Sequence, residues 1–300
     1  MPSEPPEAGR RRPSPARAPG AAGPVRGGVT PSGARPSGAC HRFRTLLSRP
    51  PSGPGDRTVI PRRHPPADVS LALWVGVAGF ALGTAAVGYR ARSVDGSDRA
   101  RALAVVAVFV PLSIGTWYVA MALGAAVSRS PAGVVHWGRF ADGVITLPLV
   151  CGSLAALAGA GRVTVGTTAA VAGYTMATTL AATLATGTGK VVWLGVSVGG
   201  FLALLWLLLG PVGRIASGTA AAGRFVRTRN FVVAAMCAYP VVWALGPEGF
   251  ALAPGPAVPA GVALDLAFKT GVGLLLASAA RGLARDSDTG THATGRSCSG

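Results

Sequence analysis

From position 69 onward the chain alternates between long uncharged runs and short connections that hold most of the arginines. Residues 69–89, 102–128, 143–161, 163–189, 191–213 and 230–247 contain no Asp, Glu, Lys or Arg. A seventh apolar run, from about 256 to 280, is interrupted by Asp265 and Lys269. About 20 apolar residues in a helix cross the hydrocarbon core of a bilayer. Lipid offers no partner to the backbone of an open strand, so spans of this kind are helices. The pattern predicts an all-α bundle of seven transmembrane helices over residues 69–285, the third beginning near Val134. Short linkers such as 130–133 predict antiparallel neighbours.

Composition sharpens this picture. Half of the 300 residues are hydrophobic and 13% are charged, against roughly 25% charged in an average soluble chain. The formal charge of +17 raises the question of nucleic acid, but it is not one basic surface. Residues 1–68 are rich in Pro, Gly, Ser and Arg and lack apolar periodicity, which predicts a disordered basic tail. No apolar core of a secretory signal follows its first arginines. The tail reads as a solvated segment, not a nucleic-acid-binding arm. The short polar stretch 286–300 is expected to be a disordered C-terminal tail.

The remaining basic residues are distributed unevenly between the two ends of the bundle. The connections after the first, third and fifth spans, with the C-terminal tail, carry Arg90, Arg92, Arg99, Arg101, Arg162, Arg214, Arg224, Arg227, Arg229, Arg281, Arg285 and Arg296. The connections after the second, fourth and sixth carry Arg129 and Lys190. This asymmetry predicts a cytoplasmic C-terminus and, with seven spans, an external N-terminus. The arginines of the leading tail oppose that orientation, so the tail is expected to be a dispensable extension or to precede a later start near Val59 or Val69.

Several familiar motifs are missing. Cys40, Cys151, Cys237 and Cys298 show no paired spacing, and the four histidines make no metal constellation. Gly187-Thr188-Gly189-Lys190 lacks the remaining residues of a phosphate loop. The chemistry lies in the charges inside the spans. Arg139, Asp142 and Thr146 sit at i, i+3 and i+7 on one helical face. Asp265 and Lys269 share another face at i and i+4. Ionisable groups at this depth face the bundle interior and pair with one another. A lysine buried there either stays paired with carboxylates in a structural network or, deprotonated, acts as a nucleophile toward an aldehyde.

These residues carry a family resemblance. Arg139-Phe140-Ala141-Asp142, with Thr146 and Pro148, resembles the third helix of microbial (type 1) rhodopsins. Ala238-Tyr239-Pro240-Val241-Val242-Trp243, followed by Gly246-Pro247-Glu248-Gly249, is similar to their sixth helix and the loop after it. Leu264-Asp265-Leu266-Ala267-Phe268-Lys269 is similar to the seventh helix around the retinal-binding lysine. Pro111 and Tyr118 match the second helix, and 118–124 resembles the sensory branch of the haloarchaeal sensory rhodopsins and bacteriorhodopsins. The likeness covers about residues 70–285 in order.

The resemblance implies all-trans retinal joined to Lys269 as a protonated Schiff base. Asp142 is then the counterion and proton acceptor, and Thr146 hydrogen-bonds it. Asp265 is the second carboxylate, held by Tyr118 and Tyr239, with Arg139 beyond it toward the outside. Trp243 and Met176 line the ring end of the chromophore, and Ser197 and Thr179 its sides. Gly143 and Met236 stand where the family sandwiches retinal between two tryptophans, which implies a looser pocket. Phe268 is bulky where the family has a small or hydroxyl residue. Leu147 and Gly173 replace a threonine and a carboxylate that commonly pair.

Asp142 at the counterion position argues against the chloride-pumping branch. Ser153 stands where proton pumps carry a carboxylate donor. Glu248 is present from the external proton-release pair, while its partner near Ala257 or Val258 is absent. The reading is a membrane photoreceptor, not an enzyme, with no metal and no nucleic-acid partner. A slow outward proton pump comes second, and a non-photochemical seven-helix protein third. A separate membrane transducer, lipid and a homo-oligomer are the partners considered. Against the sensor, Ala263 stands where that branch tends to carry a tyrosine for its transducer.

Overall fold

The computed structural model describes residues 67–295, with side chains described for 69–286. The expected N-terminal tail and the last residues of the C-terminal tail lie outside the described residues. Long helices follow one another: α1 (Ala67–Ala91), α2 (Asp98–Ala122), α3 (Gly138–Leu157), α4 (Arg162–Leu184) and α5 (Gly187–Leu209). A short α6 (Pro211–Ser217), then α7 (Ala222–Leu245), α8 (Pro254–Asp265) and α9 (Gly271–Gly295) complete the order. Consecutive spans pack side by side, and the last one returns against α1 and α2.

The expected seven spans are present, with three local differences. Between α2 and α3 the chain forms an antiparallel hairpin of β1 (Ser128–Ser130) and β2 (Gly133–Val135), pairing Ser128 with Val135. The third span therefore starts at Gly138 and not near Val134. Gly133, at φ +132°, turns the hairpin in a conformation that disfavours a side chain. The fifth span breaks at Gly210, where the ring of Pro211 supplies no N–H to a continuing helix. The seventh span is α8 and α9 joined by one π-helical turn, Leu266–Thr270, which contains Lys269. α9 runs to Gly295, past the boundary expected at 285.

Six of these spans, among the described residues, are long and apolar enough to cross a membrane. The remaining one, α4, has 23 residues and is diluted by threonines. Thr168, Thr175, Thr178, Thr179 and Thr183 each donate to the carbonyl four residues earlier, so their hydroxyls are satisfied within the helix. The prolines inside α2, α3, α7 and α8 are of the kind a packed membrane bundle tolerates. Ser197 and the charged residues Asp142, Asp265 and Lys269 are buried inside the bundle, whereas Leu71, Trp74, Leu82, Leu202 and Trp206 project outward. That apolar exterior and polar interior suit lipid as the surrounding solvent.

Small residues set how closely the elements approach. Gly76, Gly79 and Gly83 form a stripe on α1, and a Cβ at each meets Tyr118, Leu266 or Thr270 respectively. The stripe lets α1 lie against α2 and the π-helical turn. Gly273 does the same for α9, where a Cβ would come 2.8 Å from the carbonyl oxygen of Ala107. The turn that bears Lys269 thus seats its Leu266 and Thr270 side chains on the α1 glycines, with a close backbone approach just beyond it at Gly273.

Candidate functional site

The interior of the bundle is most polar where α2, α3, α7, α8 and the π-helical turn converge. Asp142, Thr146, Asp265 and Lys269 are all buried. The Lys269 ammonium donates to Asp142 Oδ2 at 2.7 Å and to Thr146 Oγ1 at 2.5 Å. Thr146 in turn donates to Asp142 Oδ2 at 2.9 Å. The other carboxylate oxygen of Asp142 accepts from Ser113 of α2 at 2.7 Å. Nothing in the sequence pattern singled out Ser113, because a serine in an apolar helix carries no signal until the facing carboxylate is placed.

Asp265 has a separate set of donors. Arg139 Nε reaches its Oδ2 at 2.6 Å, Tyr118 the same oxygen at 2.7 Å, and Tyr239 its Oδ1 at 2.6 Å. The site is therefore two ion pairs, Lys269–Asp142 and Arg139–Asp265, cross-braced by hydroxyls. Burying a charge is costly unless it is paired and its remaining lone pairs are satisfied. Two cations against two anions, with five hydroxyl or guanidinium hydrogen bonds to the carboxylates, meet that requirement.

A cavity of about 150 Å³ opens from this charged end toward α4 and α5. Lys269 and Asp265 close one end. Met176, Met236, Phe268, Gly143, Leu194 and Trp243 make most of its wall apolar. Ser197 and Thr179 also line it, hydrogen-bonded to each other at 2.6 Å. Asp142, Thr146 and Tyr118 stand behind the lining and act on the cavity through Lys269 and Asp265.

The expected consequences of the missing tryptophans change here. A Cβ on Gly143 would collide with the terminal methyl of Met176. The space above Gly143 is thus taken up by a thioether, which is flexible and polarizable, and the wall is present in another form. Phe268 lines the cavity and is held there by two aromatic neighbours. It stacks on Phe231 at 6.4 Å and meets Tyr239 edge-on at 5.7 Å. Leu147 is buried, and Gly173 lies against Pro148, so no polar partner is stranded there. Trp243 is fixed by its indole N–H, which donates to Thr183 of α4 at 3.0 Å, and by Phe250 edge-on at 5.3 Å.

Glu248 lies apart from the cavity, buried in the connection between α7 and α8. Its neighbour is His136, just after β2, with Nδ1 3.5 Å from Glu248 Oε1. Burial pushes this carboxyl up, but the hydrogen bond with His136 and the charge of Arg139 outweigh burial and hold it below its ordinary range. Lys190 binds the same loop, donating to the carbonyls of Glu248 and Gly249 at 2.7 and 3.1 Å. The Gly187–Lys190 stretch is thus the start of α5, with its lysine tied to a loop, and makes no phosphate cradle. Cys151 and Cys237 are free.

A lone amine at the closed end of an apolar cavity, with anions at contact distance, fits a long apolar aldehyde. Comparison with known proteins agrees. Residues 68–283 match the family model described as bacteriorhodopsin-like protein. The bacteriorhodopsin of Haloterrigena sp. (strain arg-4) is 35% identical over 216 residues, covering 69% of this chain and 86% of that one. Sensory rhodopsin-2 of Natronomonas pharaonis is 30% identical over 216 residues, covering 69% and 87%. The crystal structure of a cyanorhodopsin from Tolypothrix sp. NIES-4075 superposes with a TM-score of 0.68 at 29% identity, covering 75% of this chain and 99% of that one. The chain belongs to the bacteriorhodopsin-like family of microbial rhodopsins, multi-pass membrane proteins whose cofactor is retinal.

Proposed function

We propose that the protein is a light-activated membrane photoreceptor in which retinal, carried on Lys269, drives proton transfer to Asp142. The observation that carries this reading is the direct contact of the buried Lys269 nitrogen with Asp142 and Thr146. Retinal, when bound as a Schiff base, supplies light absorption and a change of shape. The chain's own residues do the rest. Asp142 stabilises positive charge on the Lys269 nitrogen in the dark and accepts its proton. Thr146 and Ser113 orient the Asp142 carboxylate so that one oxygen faces the nitrogen. Arg139, Tyr118 and Tyr239 hold the Asp265 carboxylate in place through three hydrogen bonds. Met176, Met236 and Trp243 exclude water from the far end of the cavity.

The sensory role rests on Ser153. It is buried in α3, and a hydroxyl has no proton to give at neutral pH. Return of a proton to Lys269 is then slow, and a long-lived altered state suits signalling to a separate membrane transducer. A slow outward proton pump is the second reading. It is favoured by the ionisable groups that lead from Lys269 through Asp142, Arg139 and Asp265 toward Glu248. On either reading, residues 69–285 are the retinal-binding domain, the C-terminus is cytoplasmic, the N-terminus is external, and a homo-oligomer is compatible with the outward apolar faces.

Flash photolysis of the retinal-reconstituted chain tests the proposal. The expected result is a transient in the visible band that decays slowly and is accelerated by azide, a small diffusible acid. Decay indifferent to azide contradicts the account of Ser153. Illuminated cells in unbuffered medium separate the roles: sustained acidification supports the pump and overturns the sensor.

A further inference from the structure

Helical hydroxyls in this bundle mostly turn back on their own helix. Thr116, Thr168, Thr228 and Ser278 each donate to a carbonyl three or four residues earlier. That local bond is open to any serine or threonine inside a helix. Ser113 forgoes it. Its hydroxyl leaves α2 and donates to Asp142 Oδ1 of α3 at 2.7 Å.

The two oxygens of Asp142 therefore have different partners. Oδ2 accepts from the Lys269 nitrogen at 2.7 Å and from Thr146 at 2.9 Å. Thr146 also accepts from Lys269, so it belongs to the proton donor and the proton acceptor at once. Oδ1 accepts from Ser113, whose hydroxyl, among the described residues, bonds to the acceptor and to no part of the donor. Arg139 and Asp265, the other charged pair of the site, are bound to each other.

A hydrogen bond to a carboxylate is stronger than one to the neutral acid, so a donor on Oδ1 favours the charged form. We propose that Ser113 is a positioning residue that acts as a brake: it slows proton transfer from Lys269 to Asp142 and hastens the return. In the transfer, an N–H bond at Lys269 breaks as an O–H bond forms at Asp142 Oδ2. Ser113 keeps its own proton throughout, and its bond to Oδ1 weakens as the carboxylate loses its charge. This rests on the reading that light moves that proton, and it gives Ser113 control over how long the transferred state lasts.

The same bond affects colour. Light absorption by a protonated retinal Schiff base moves positive charge away from the nitrogen, so an anion beside the nitrogen widens the energy gap. Ser113 draws negative charge toward Oδ1, away from the Lys269 nitrogen, and narrows it.

The full chain, reconstituted with all-trans retinal, is compared with Ser113→Ala, Ser113→Thr and Thr116→Val by absorption in the dark and after a flash. In Ser113→Ala the ratio of forward to return rate should rise about tenfold, the scale of the difference between a hydrogen bond to a charged and to a neutral acceptor. Its dark absorption maximum should move to shorter wavelength. Ser113→Thr keeps the hydroxyl and should restore both values. Thr116 bonds its own helix three residues along, so Thr116→Val should change neither. A purely structural role for Ser113 lowers the amount of coloured protein without moving the ratio or the maximum. Ser113→Ala matching the unaltered chain in both overturns the proposal. So does Ser113→Thr or Thr116→Val behaving like Ser113→Ala. A normal band and transient in the unaltered chain beside any of these results leaves the photochemical reading intact. Absence of the visible band in the unaltered chain overturns that reading and this inference with it.

Discussion

The two ends of the cavity are built from opposite materials. At the Lys269 end, every oxygen of Asp142 and Asp265 has a donor within 2.9 Å, and the donors come from α2, α3, α7 and the π-helical turn. Away from that end, Met176, Met236, Gly143 and Trp243 make an apolar wall with two directional contacts, the indole hydrogen bond to Thr183 and the Ser197–Thr179 pair. The first end fixes charges whose positions decide a proton's path. The second only has to exclude water and fit a shape, and flexible thioethers do that without a unique geometry. Substitutions should therefore be punished steeply at one end and absorbed at the other.

The largest effect expected from changing a single carboxylate is at Asp142. Asp142→Asn leaves the Lys269 cation buried beside a neutral amide, and breaking a buried pair from one side costs about 3–5 kcal/mol. Loss of colour at a lower temperature, together with loss of proton transfer after a flash, checks this. Tyr239→Phe should cost less, about 1.5–3 kcal/mol, because Asp265 loses one charge-assisted hydrogen bond and keeps Arg139 and Tyr118. Thermal bleaching of the variant measures it.

At the far end, Gly143→Trp drives a ring into the space held by Met176, an overpacking of about 1–3 kcal/mol. The double variant Gly143→Trp, Met176→Ala should recover most of that loss. Failure to recover would mean that this end is as rigid as the other, and the contrast would be broken. Thr183→Val should cost about 1 kcal/mol and shift the absorption maximum, since the Trp243 N–H loses its partner.

The smallest effect concerns pH. Glu248 has a carboxyl held below its ordinary range, so its contribution to stability is full above the unfolded value. That contribution fades as pH falls through the folded value. Acid titration of thermal bleaching should therefore be shallower in Glu248→Gln than in the unaltered chain.

Legibility in the sequence followed the same contrast. The charged end was readable because ionisable residues inside apolar runs are rare and their spacing places them on shared faces. Arg139, Asp142 and Thr146 on α3, and Asp265 and Lys269 across the π-helical turn, all meet in the structure. The turn itself was not readable, since LAFKT carries no proline or glycine to mark it. Its wider winding helps explain why Lys269 bonds Asp142 across the bundle although Asp265 lies four positions away in sequence. At the far end, an absent tryptophan read as an absent wall. Which neighbour swings into a gap is a matter of rotamers, and Met176 was known only as a lining residue.

The partners that escaped notice are ordinary polar residues made important by distant ones. Ser113 acquires its role from Asp142, and Thr183 from Trp243. His136 acquires its role from Glu248, 112 positions away. The hairpin that delivers His136 was missed because Ser128–Ser130 and Gly133–Val135 are three residues each, too short for an alternating pattern. The break at Gly210 lay within an uncharged run, where hydropathy alone sees one continuous helix.

The central claim is that Lys269 is the attachment point of the chromophore, poised by Asp142. The most direct measurement is the visible absorption of the purified chain after addition of all-trans retinal, beside that of Lys269→Ala. The account predicts a visible band, red-shifted from free retinal, in the unaltered chain and none in the variant. A band retained by Lys269→Ala, or none in the unaltered chain, would contradict it.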